Sequence, residues 1–183
     1  MRVKGSVLKS RTLFASARGP ESLKQYLAAL SPETRKHAEN GFLVSSWYPM
    51  EMFTEMNTVA DRVFGHGDLA LCLELGRYGC DATLNSLYRM FIRLGSVSYI
   101  IKRAAQAWKT HYDGGELVVV EETDHSVTLE IRSVDTPHPS LCLAVRGWIA
   151  RAGELSGARN VQSHEEKCVL HGAPACSIHL TWQ

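Results

Sequence analysis

The segment Glu165-Glu166-Lys167-Cys168-Val169-Leu170-His171-Gly172-Ala173-Pro174-Ala175-Cys176 constrains this chain more than any other, because it gathers two soft ligands, carboxylates and a turn in one short stretch. His171-Gly172-Ala173-Pro174 reads as a chain reversal, which sets Cys168 and Cys176 side by side on neighbouring strands. Zinc prefers thiolates, accepts carboxylate oxygen, and in structural sites takes four protein ligands. Two further ligands are therefore needed, and Cys142 and Glu165 are the candidates. Alternation along a strand separates the adjacent glutamates: Val161, Ser163 and Glu165 share one face, while Gln162, His164 and Glu166 share the other. On the outgoing strand Cys176, Ile178, Leu180 and Trp182 form the apolar face. Taking the Val161 face as the buried one, Glu165 is expected to point inward with Cys176, and a buried carboxylate needs a partner such as a metal ion.

Cys142 follows His138-Pro139-Ser140, where Pro in the first turn and Ser140 as a cap predict the start of a helix. Val145, Ile149 and Ala152 continue its stripe, so the thiol faces the core near the positive end of the helix dipole. Helix, strand and hairpin can thus converge on one ion. The alternative for each of Cys142, Cys168 and Cys176 is a reduced thiol packed as a small hydrophobe. Glu166, His164 and His171 stand as substitute ligands.

Cys142, then Glu165-x-x-Cys168, then Cys176 after seven intervening residues, resembles the metal motif of the four-vinyl reductase type of ligand-binding domain. That type includes the aromatic-sensing domains of bacterial phenol-responsive activators, and the resemblance implies a structural zinc on these four positions. It covers Cys142 to Trp182. Earlier parts resemble an uncharacterised family of fruiting deltaproteobacteria (myxobacteria), with a strand-like start, a Tyr48-Pro49 step before a helix, and a two-helix middle. Both families belong with the fold of nitric-oxide-sensing haem domains and a Golgi transport subunit. The ligand-contacting His and Trp of the phenol sensors have no matching positions here, so phenol itself is not implied.

With 183 residues the chain can build one full hydrophobic core, and a single domain over 1–183 is expected, residues 140–183 carrying the zinc motif. Lys plus Arg number 20 against 19 Asp plus Glu, so no global field draws the protein to nucleic acid. Five cysteines without a secretory leader suggest a cytoplasmic, reducing location, and no apolar run is long enough to span a bilayer. Along the chain, Arg2 to Phe14 reads as a short strand and an irregular lead-in. Pro20 and Pro32 open two helices, Met52 to Val63 form an amphipathic helix ending at Gly65, and Asp68 caps a helix reaching about Gly79. Helical patterns over Leu84 to Ile92 and Ser96 to Trp108 complete a helical half. Glu116 to Glu122 and Ser126 to Val134 read as an antiparallel hairpin around Thr123-Asp124-His125, followed by a helix from Ser140 to Leu155 and two last strands. The pattern is α+β, an antiparallel sheet of about four to five strands packed against a helical layer.

Trp47, Tyr48, Phe53, Tyr88, Phe91, Tyr99 and Trp108, with Met52 and Met56, are candidates to line an apolar pocket for a small apolar or aromatic molecule; ordinary core packing is the alternative for each. Related domains are sensors, so the resemblance implies a non-enzymatic sensory domain with a structural zinc, a signalling partner protein and a homodimer. Rival readings are a protein-interaction module of the same fold, a reductase, for which no dinucleotide fingerprint is present, and a haem-binding gas sensor, for which no axial ligand is specified.

Overall fold

The computed structural model describes residues 1–83 and 97–183. A short strand, β1 (Arg2–Lys4), pairs antiparallel with β2 (Trp47–Pro49), and three helices lie between them: α1 (Gly5–Ser16), α2 (Pro20–Ala29) and α3 (Pro32–Asn40). The irregular lead-in expected before Phe14 is instead helix α1. Its buried positions Val7, Leu8, Arg11, Phe14 and Ala15 recur at helical spacing, and the arginine in the middle of this stripe hides the pattern from a hydropathy reading. Pro stands in the first turn of both α2 and α3, and Ser31 caps α3 by accepting the Thr34 N–H at 3.4 Å.

Helix α4 (Met50–Phe64) buries Met52, Phe53, Met56, Val59 and Ala60 and stops at Gly65, as its pattern predicts. Helix α5 (Leu71–Thr83) does not end near Gly79 but continues to Thr83, so Cys72 and Cys80 lie on one unbroken helix, both fully buried. Burial raises the Cys72 thiol to about 12, leaving it inert. The pattern over Leu84 to Ile92 lies outside the described residues. Helices α6 (Val97–Gln106) and α7 (Trp108–His111) lead into the sheet.

Strands β3 (Glu116–Glu122) and β4 (Ser126–Arg132) form the expected hairpin, α8 (Pro139–Leu155) crosses the core, and β5 (Gln162–Lys167) and β6 (Cys176–Thr181) close the chain. The sheet is antiparallel throughout, in the order β3-β4-β6-β5. Leu129, Ile178 and Leu180 are fully buried on its inner face. The domain is α+β, eight helices among the described residues packed with one four-stranded sheet, plus the β1/β2 ribbon.

Helices α5 and α8 approach backbone to backbone. A Cβ at Gly76 would overlap the carbonyl oxygen of Ala144, and a Cβ at Gly147 would overlap that of Leu73. Two glycines, one on each helix, therefore set the spacing. On the flank, Arg77 grips Glu154 at 2.7 Å, and Arg151 joins Asp81 at 3.1 Å to Glu154 at 3.0 Å. These half-exposed pairs fix the crossing more than they stabilise it. Replacing Gly147 with Ala should lower stability by about 1–3 kcal/mol through overpacking, although Ala is the better helix former. Thermal denaturation of Gly147→Ala checks this, and a melting temperature at or above the parent's would refute the close crossing.

Candidate metal centre

The helix carrying Cys142 begins where the sequence predicts, but the cap is His138, whose side chain accepts the Ser140 N–H; Pro139 occupies the first turn. Burial lowers the His138 pKa, which keeps Nδ1 free to accept. Val145, Ile149 and Ala152 are buried on the same stripe as Cys142. The first turn of α8 thus holds the Cys142 thiol against the closing strands.

Strand alternation alone would defeat the rest of the site. Glu165 and Cys168 are three residues apart, and a regular strand puts such residues on opposite faces. A bulge resolves this: Glu165 pairs with Ile178, but Lys167 pairs with Ser177, so the register shifts by one at Glu166. Glu166 turns to the outer face, where it accepts from Ser177 Oγ at 3.2 Å and lies 3.8 Å from His164. Cys168 returns to the inner side. A single turn of 3-10 helix, Val169–His171, then leads to Gly172 at φ 88, a left-handed conformation that suits glycine, and the chain reverses into Cys176.

Ligand atoms of Cys142, Glu165 and Cys176 all lie within 4.8 Å of one another. Cys168 falls outside that group of three but approaches one of its members, its sulfur lying 3.8 Å from that of Cys176. That separation is far beyond a disulfide bond. It matches the edge of a tetrahedron with zinc–sulfur arms of ~2.3 Å, which is about 3.8 Å. All three thiols are buried and free, whereas Glu165 is exposed, contrary to the expectation of an inward, buried carboxylate. It closes the cluster from the rim. The substitute ligands stand aside: His164 and Glu166 face outward on β5, and His171 is exposed.

Buried thiols without a cation hold their protons. Desolvation, with Cys176, Glu165 and Cys168 nearby, pushes Cys142 far above the ordinary thiol range, and burial raises Cys168 as well. One backbone donor works the other way, the Leu170 N–H lowering Cys168, and the Val169 N–H points at Cys176 Sγ from 3.4 Å. Sulfur with N–H donors, and no ion pair to these groups among the described residues, is a donor set suited to a divalent ion.

The aromatic candidates do not share one cavity. Trp108 lines a partly open cavity of about 70 Å³ between α1, α5, α7, α8 and β3. Trp47 instead lies at the surface with Lys4 Nζ 3.9 Å from its ring, and Tyr48 packs edge-on against Phe42 with ring centroids 5.0 Å apart. Phe53 is fully buried beside Arg11 and Tyr112, Tyr99 is exposed, and Tyr88 and Phe91 lie outside the described residues. Arg11, Ser10, Gly79 and His111 are cavity residues that the pattern did not reveal, since none is apolar or aromatic except the imidazole.

No family model matches the chain, and no curated protein matches it. Solved structures do. An H-NOX protein from S. oneidensis in the Fe(II)NO ligation state superimposes with a TM-score of 0.72 at 14% identity, covering 98% of this chain and 99% of that one. The NMR structure of an H-NOX domain from Shewanella oneidensis in the Fe(II)CO state gives 0.70 at 14%, covering 98% of each chain. An unliganded Fe(II) H-NOX protein from K. algicida gives 0.71 at 12%, covering 98% of this chain and 96% of that one. The chain has the H-NOX fold. At this identity the likeness concerns architecture, and the haem does not carry over with it. The cavity of about 70 Å³ is well short of the ~300–1,000 Å³ of ordinary ligand pockets. Moreover, no histidine among the described residues is buried, and the one that lines the cavity, His111, has Nδ1 3.1 Å from the Ala107 carbonyl oxygen. Among the described residues no helix is long and apolar enough to cross a membrane.

Because burial raises the Cys142 and Cys168 thiols, a metal must displace their protons, so affinity should rise with pH. Calorimetric titration of zinc into the reduced apoprotein in buffers of different ionisation enthalpy should show release of about two protons or more near pH 7. Binding without proton release would contradict a thiolate site.

Proposed function

We propose that this chain is a non-enzymatic small-molecule-binding sensory domain whose closing hairpin is clamped to α8 by a structural zinc ion on Cys142, Glu165, Cys168 and Cys176. The approach of Cys142, Glu165 and Cys176 to within 4.8 Å of one another, from a helix and two strands, carries the metal part of this reading. Cys168, 3.8 Å from Cys176, completes a set of four. Four protein ligands leave no vacancy for water, so the ion would be structural rather than catalytic. The spacing that resembles the four-vinyl reductase type of domain supports the same reading.

The sensory part is supported by the H-NOX fold and by a cavity between the helical layer and the sheet. We propose that ligand occupancy is read out by a partner protein, with the domain acting as a homodimer, as in the domains it resembles. The zinc would keep β5, β6 and α8 in fixed relation while the cavity beside α8 is filled or emptied. Its chemistry is charge neutralisation: it holds thiolates in a buried place where they otherwise stay protonated.

Purified protein should contain about one zinc per chain, and Cys176→Ser should lose it. Metal withdrawal should lower the melting temperature by roughly 10 °C, from ~4 kcal/mol of binding at a thousandfold excess over Kd and about 2–4 °C per kcal/mol for a chain of this size. Elemental analysis and thermal denaturation with and without chelator check both. A metal-free protein as stable as the purified form would end the reading. Glu165→Ala, at the exposed corner, should keep the metal with affinity reduced about tenfold or more, because water can replace a rim carboxylate but not a buried thiolate.

A further inference from the structure

Arg11 occupies the middle of the apolar stripe of α1 and is only 4% exposed. Its Nε donates to Asn57 Oδ1 at 2.9 Å, and its Nη1 donates to Ser10 Oγ at 2.7 Å and to the Val7 carbonyl oxygen at 3.3 Å. The Phe53 ring lies 4.9 Å from Cζ. Every one of these partners is neutral, no carboxylate pairs with Arg11 among the described residues, and none of them accepts from Nη2. A buried cation in this state is expensive, and one aromatic face offsets only part of its lost hydration. The usual remedy is a counter-ion, and Arg11 is a wall of the cavity of about 70 Å³.

We propose that this cavity binds a small aliphatic carboxylate, held through Arg11 Nη2 with its hydrocarbon against Val145, Trp148 and Ile149. The inference rests on the reading of the domain as a small-molecule binder and names the ligand's class. Three features of the walls select that class. The lining contains no acidic residue, so nothing already in the cavity competes for the guanidinium. The bonds to Asn57, Ser10 and Val7 use Nε and both hydrogens of Nη1, so Nη2 is the donor left to make a charge-assisted bond to a carboxylate oxygen. The opposite walls are mostly aliphatic and aromatic, which suits a short chain and disfavours phosphate, whose every face needs polar partners.

Size and glycine placement agree. A dry cavity of ~150 Å³ holds benzene, so about 70 Å³ admits an acid of two to four carbons rather than an aromatic one. Gly79 keeps the space beside the charge: a Cβ there would stand 3.2 Å from Arg11 Nη1 and 3.4 Å from Ser10 Oγ. Burial lowers the Arg11 pKa, the direction for a cation that no anion faces.

The test is nuclear magnetic resonance of the metal-loaded protein labelled with ¹⁵N at arginine, the Arg11 Nε–Hε signal being assigned by its loss in Arg11→Lys. Acetate, propionate and butyrate are titrated at pH 7 and constant chloride, each against its neutral amide. The expected result is a saturable shift of the Arg11 signal by the acids, with the amides at least about tenfold weaker, since charge-assisted hydrogen bonds are roughly twice as strong as neutral ones. Gly79→Ala keeps Arg11 and narrows the space, and it should weaken butyrate at least about tenfold. Amides binding as well as acids would overturn the carboxylate inference and leave the small-molecule reading standing. Absence of any saturable binding would overturn both, and a Gly79→Ala protein that binds butyrate like the parent would overturn the assignment to this cavity.

Discussion

Helix α8 can lie where the helical layer meets the sheet only because Gly76 and Gly147 carry no side chains. Backbone contact of this kind is intolerant of a single methyl group, and it fixes the height and rotation of α8 over α5. Much else is decided by that placement. The first turn of α8 delivers Cys142 to the closing strands, its middle supplies Val145 and Ile149 to the cavity, and its last turns carry the Glu154 and Arg151 ion pairs.

The second constraint is the bulge at Glu166. Without it a carboxylate and a thiol three residues apart could not serve one centre, and Lys167 rather than Cys168 would lie opposite Cys176. With it, Cys142, Glu165 and Cys176 gather beneath the hairpin, and Cys168 lies 3.8 Å from Cys176. Their chemistry follows from burial. Burial raises the Cys142 and Cys168 thiols, and the Leu170 N–H opposes that rise at Cys168.

Sequence alone revealed the α+β class, the β3/β4 hairpin, the Pro-led helices and the start of α8, because each depends on local signals that act within a few residues. The approach of Cys142, Glu165 and Cys176 to one another was also legible, from ligand type and spacing. The bulge was not, since nothing in Glu-Glu-Lys marks the inserted residue, and the exposure of Glu165 follows from where the strand edge falls. Helix α1 was hidden by Arg11 in its buried stripe. The aromatic candidates for a pocket were misleading for a simple reason: Phe53 and Tyr48 fill core, Trp47 stacks with lysine at the surface, and the cavity beside α8 is defined by glycine, serine and arginine as much as by rings. Hydropathy patterns report which side of a helix is buried but not where packing leaves space.

X-ray absorption at the zinc edge of the purified protein reads the coordination shell directly. The account predicts three sulfur neighbours at ~2.3 Å and one oxygen at ~2.0–2.2 Å, with no light-atom ligand beyond that one. A shell with two sulfurs or fewer, or one completed by additional oxygen or nitrogen atoms, would contradict a closed site built from Cys142, Glu165, Cys168 and Cys176.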